Sequence, residues 1–119
     1  MPHSSQDVHK KVLGKKGERL VVNALKKQGW KILSTNYKTP VGEADIVATD
    51  GDEIVFVEVK TRTNEKYGTP REAVGYDKQR RYRNIAAYYG LQTGQEPNAR
   101  FDVAEVYADG RMEYYKNAF

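Results

Sequence analysis

Residues 42–62, GEADIVATDGDEIVFVEVKTR, contain two runs of Ile, Val, Ala and Phe that read as neighbouring strands, yet Asp45, Glu58 and Lys60 interrupt them. An unpaired charge in an apolar interior costs several kcal/mol, so a fold of this chain must either expose these three side chains or bring them together. The dipeptide Asp50-Gly51 between the runs is a hairpin signal. If those two residues form a type I′ turn, Thr49 faces Asp52 and Asp45 lies opposite Phe56. Cross-strand partners share a face, and the strand period of two places Glu58 and Lys60 on that same face. Asp45 and Glu58 then form a diagonal pair roughly 7–8 Å apart at the backbone, close enough to converge on one ion.

Two carboxylates at such a distance repel, so one of them holds a proton unless a cation lies between them. Carboxylate oxygens without His or Cys are hard ligands and favour Mg²⁺ or Mn²⁺ over Zn²⁺. Lys60 adds a positive charge that could orient a water or offset charge on a phosphate oxygen. Polar residues alternating along a strand more commonly mark the wet face of an antiparallel sheet. Against that reading, Ile54 and Phe56 occupy the same face as Glu58 and Lys60. The spacing D-x₁₂-E-x-K also matches the D…(D/E)-x-K pattern of metal-dependent nucleases.

The remaining chain supplies one domain's worth of elements in its 119 residues. Residues 1–11 lack apolar periodicity and read as a flexible tail, leaving 12–119 as a single domain. A helix is expected over residues 14–28, stopped by Gly29, followed by a strand from Trp30 to Thr39. After the central hairpin, Thr69 as N-cap, Pro70 and Glu72 predict a second helix running to Tyr89 before Gly90. A final hairpin turns at Ala108-Asp109-Gly110. The order αβββαββ implies an α/β (α+β) fold with a central sheet flanked by helices. The absence of cysteine excludes disulfides and thiolate chemistry, and no apolar run is long enough to span a membrane, so a soluble cytoplasmic protein is expected. A net charge of +4 favours a polyanionic partner without specifying one.

In the second helix Val74, Lys78, Tyr82, Ile85 and Tyr89 form one stripe, so Lys78 belongs to the apolar face. It either snorkels to the sheet edge or points to anionic groups. Gln79, Arg80, Arg81 and Arg83 fan around the helix and could contact phosphates, although a solvated charged face is the commoner origin of such a run. Arg62 and Tyr67, beside the charged face, are further candidates for nucleic-acid contact, Tyr67 by stacking on bases. Tyr82, Tyr88 and Tyr89 read as core tyrosines.

GEADIVATDGDEIVFVEVKTR, followed by GTPREAV, DKQRR, AAYY and RFDV, resembles the YraN-like family of predicted endonucleases, itself similar to Holliday-junction resolvases of the restriction-endonuclease-like superfamily. The resemblance extends from Gly14 to about Tyr107, with Ala44 standing where the superfamily often has Pro. It implies a restriction-endonuclease-like fold and a Mg²⁺- or Mn²⁺-dependent endonuclease acting on nucleic acid, with branched or junction DNA as the candidate substrate and a homodimer as the candidate assembly. In that framework Asp45, Glu58, Lys60 and Glu18 are the catalytic residues. Asp45, Glu58, Glu18 and the Val59 carbonyl hold the metal. A nucleic-acid-binding protein that keeps the fold without turnover is the alternative.

Overall fold

The structure, a computed structural model, describes the backbone of residues 5–62, 74–96 and 98–119, and the side chains of those from residue 14 onward. The elements run α1 (Ser5–Lys27), β1 (Lys31–Thr39), β2 (Gly42–Asp50), β3 (Glu53–Arg62), α2 (Tyr76–Thr93), β4 (Ala99–Tyr107) and β5 (Met112–Tyr115). This is the expected order. The strands form one mixed sheet in the order β1-β2-β3-β4-β5, antiparallel throughout except for the parallel pair β3/β4 that α2 connects. Parallel neighbours require such a crossover.

The strand period of two sorts the core into two layers. Ile46, Ala48, Val55 and Val57 pack on Val21 and Leu25 of α1, while Val47, Phe56 and Val103 pack on Tyr82, Ile85 and Ala86 of α2. The two helices therefore cover opposite faces, and Glu58, next in phase after Phe56, looks toward α2. Among the described residues no helix is long and apolar enough to cross a membrane.

Four local expectations need correction. α1 begins at Ser5, so the backbone of residues 5–11, read as tail, is helical. No Gly or Pro interrupts residues 5–13, and side-chain polarity alone does not end a helix. The central hairpin pairs Asp50 with Glu53, leaving Gly51-Asp52 as the loop in place of Asp50-Gly51. Gly51 takes φ +61° and Asp52 is not among the residues with positive φ, the signature of a II′ turn with Gly first, not of I′. α2 starts at Tyr76 after an extended Gly75, later than the expected start at Pro70; the proposed cap residues 69–72 lie outside the described residues. It also runs through Gly90 to Gly94, whose φ of +72° closes the helix with a backbone bond to the Gly90 carbonyl.

Candidate functional site

The hairpin shift moves the pairing by two residues, an even number, so every side chain keeps its face. The register Ile46↔Val57, continued by one pair, sets Asp45 directly opposite Glu58, where the sequence reading had Phe56. In place of the next ladder bond, the Val59 N–H donates to Asp45 Oδ2 at 2.8 Å. A residue in an extended strand points its N–H and C=O to the same edge, so the Val59 carbonyl also faces Asp45.

Glu58 is 3% exposed, and its two oxygens have separate partners. Lys78 Nζ, from the first turn of α2, lies 2.5 Å from Oε1, with Lys60 Nζ at 3.4 Å from the same oxygen. The Tyr82 hydroxyl donates to Oε2 at 2.5 Å. The same hydroxyl accepts the Asp45 N–H at 3.4 Å, so one phenol bridges both strands. Burial first, then the facing Glu58 carboxylate, push Asp45 up from its ordinary 3.8 to about 7, while the Val59 N–H pulls the other way. Glu18 raises it further and Lys78 lowers it. Burial and the same two carboxylates hold the Tyr82 hydroxyl firmly protonated, which keeps it a donor to Glu58.

Asp45, Glu58 and Lys60 are therefore brought together at the boundary of β2 and β3. Glu18, on α1, is close enough to act on Asp45 electrostatically, and its Oε2 accepts a bond from Asn36 Nδ2 at 3.4 Å. Asn36 sits at φ +52° between the pairs Thr35↔Ile46 and Tyr37↔Ala44, which brackets it against Asp45. Among the described residues no three acidic or His side chains stand close enough together to form a metal cage.

The outer candidates separate. Arg80 and Arg81 are exposed, and the Arg81 stem lies over Gly42, where a Cβ would meet it at 2.6 Å. Gln79, expected beside them, is buried and donates to the Val74 carbonyl at 2.8 Å, because it lies three residues before Tyr82 on the stripe that carries Ile85 and Ala86 into the core. Arg62 faces the buried Glu105 at 3.9 Å and is mostly covered, so it is not a free surface contact. Tyr67 lies outside the described residues. Sequence reasoning missed Tyr82 and Asn36: a tyrosine in an apolar helical stripe looks like packing, and its place four residues after Lys78 was the available signal.

The profile described as "Uncharacterised protein family UPF0102" matches residues 17–106. A UPF0102 protein of Thermodesulfovibrio yellowstonii is 44% identical over 107 residues, covering 90% of this chain and 95% of its own. One from Syntrophus aciditrophicus is 50% identical over 111 residues, covering 89% and 87%. Among solved structures, the Archaeoglobus fulgidus Hjc, a Holliday junction resolvase, superposes with a TM-score of 0.58 at 22% identity, over 87% of this chain and 76% of that one. The fold is thus that of the resolvase, restriction-endonuclease-like.

Proposed function

The chain belongs to the UPF0102 family, and from that premise and the geometry of the acidic site we propose that it is a metal-dependent endonuclease acting on nucleic acid. The observation that carries the proposal is the half-buried Asp45 facing the buried Glu58, with Lys60 beside them, on a resolvase-like scaffold. Burial first, then the facing Glu58 carboxylate, raise the half-buried Asp45 to about 7, a penalty that a divalent cation would relieve. The donor set is all oxygen, which suits Mg²⁺ or Mn²⁺. Asp45, Glu58 and the Val59 carbonyl would hold the ion, with Glu18 assisting through water. A cation bound there lowers the proton affinity of an attacking water and withdraws charge from the phosphoryl oxygens.

The chain's own groups do the rest. Lys60 orients the attacking water and offsets charge that develops in the in-line displacement. Tyr82 keeps the Glu58 carboxylate from rotating. Arg80 and Arg81, exposed on α2, grip the phosphate backbone. The resolvase likeness makes branched or four-way DNA the substrate to try first, and cutting two symmetric strands calls for a homodimer.

One observation favours a second reading, a nucleic-acid-binding protein without turnover. Both oxygens of Glu58 are already engaged by side chains of the chain itself. A nuclease assay on single-stranded, duplex, flap and four-way substrates with Mn²⁺ separates the two. Cleavage by the wild type that Glu58→Ala abolishes supports the enzyme. Equal cutting by both proteins identifies a contaminant, and retained binding without cutting selects the alternative.

A further inference from the structure

Positive charge in the acidic site is unevenly spread. Glu58 Oε1 has two lysines, Lys78 at 2.5 Å and Lys60 at 3.4 Å, whereas among the described residues no cation pairs with Asp45. Lys60 is anchored two positions from Glu58 on the same strand. Lys78 arrives from another element on a flexible stem, and its side chain is 37% exposed. It enters from the first turn of α2, where Gly75 provides no side-chain cap. Tyr82, one turn further along, holds the other oxygen of the same carboxylate.

We propose that Lys78 is a tethered counter-ion: it occupies Glu58 Oε1 while no divalent cation is present and gives up that oxygen when one binds, with Tyr82 holding Oε2 in place throughout. The inference rests on reading Asp45 and Glu58 as a cation site. Without a positive partner, Glu58 would be an uncompensated buried charge facing Asp45, which is strongly destabilising. A divalent ion on that oxygen would be repelled most strongly by the ammonium group in direct contact with it, Lys78 at 2.5 Å, and less by Lys60 at 3.4 Å. The flexible, partly exposed lysine is the one that can retreat. Because the lysine and the metal compete, Lys78 opposes metal binding, the reverse of what a positioning residue for the ion would do.

The test is Mn²⁺ titration calorimetry on the whole chain, comparing wild type, Lys78→Met and Lys78→Gln. Loss of the competing contact should tighten Mn²⁺ binding roughly tenfold, the weight of one charge-assisted hydrogen bond. In metal-free buffer the variants should melt below wild type, and saturating Mn²⁺ should close the gap. If Lys78→Met does not fold, Lys78→Gln carries the comparison. Equal or weaker Mn²⁺ binding by the variants, with binding by wild type intact, overturns the counter-ion role and leaves the cation site standing. Absence of binding in all three proteins overturns the cation site, and the counter-ion with it.

Discussion

Asp45 ionises near pH 7 because burial and the facing Glu58 penalise its charged form. An acid raised in the folded state holds a proton there that the unfolded chain has already released, so stability falls as pH climbs from about 4 to about 7. Below that window both states are protonated and the penalty vanishes. Asp45→Asn removes the titrating group. Urea unfolding at pH 5 and pH 8 should therefore show the wild type losing roughly 1–3 kcal/mol more than the variant between the two values. Parallel profiles would mean that the two carboxylates do not share a site. Of the residues around Asp45, the charged ones were legible because a strand pattern makes charge conspicuous. Tyr82 was not, since a phenol can serve as a packing ring or as a donor, and only the position of α2 over β3 decides which.

At the level of elements, the second buried polar group of the molecule does mechanical work. Asp102, fully buried on β4, accepts bonds from Arg100 Nη2 at 2.9 Å, the Tyr114 hydroxyl at 2.6 Å and the Asn117 N–H at 2.8 Å. Arg100 Nη1 also reaches Asp50 and Glu53 at 2.8 and 2.9 Å, across the β2–β3 turn, and its guanidinium lies 5.0 Å from the Trp30 ring centre. The group thus joins the turn, β4, β5 and the C-terminal segment. Asp102 pairs with Val57 and so faces α1, away from Glu58. Asp102→Ala should cost roughly 1–3 kcal/mol in urea unfolding, because the Tyr114 hydroxyl and the Asn117 N–H lose their acceptor while Arg100 keeps Asp50 and Glu53. Mn²⁺ affinity of the folded variant should be unchanged. A loss of both together would show that the two polar groups are coupled through the sheet. No local pattern marks Asp102 for this role, because apart from Arg100 its partners come from β5 and the C-terminal segment.

For the whole molecule, the modest +4 charge acts through where it is displayed. Arg80 and Arg81 stand exposed on the helix that also carries Lys78 to the acidic site, so a phosphate backbone lying along α2 would pass its mouth. Binding of a four-way DNA should weaken with salt, and Arg80→Ala and Arg81→Ala should each lower the slope of log K against log salt by about 1. An unaltered slope in both variants would place the nucleic-acid surface elsewhere. The expected grouping of Gln79 with these arginines failed for a geometric reason: helical spacing puts Gln79 on the buried stripe of Tyr82, Ile85 and Ala86.

Element order, the nearness of Asp45 to Glu58 and Lys60, and the family were readable in the chain alone, because local periodicity and motif spacing carry them. Even a wrong hairpin register left that nearness intact, since a shift of two residues preserves side-chain parity. The sheet order, the parallel β3/β4 pairing and the contact of Lys78 and Tyr82 with the two oxygens of Glu58 depended on how α2 packs over β3. Such contacts join residues about twenty positions apart, and no local pattern encodes the distance between their atoms.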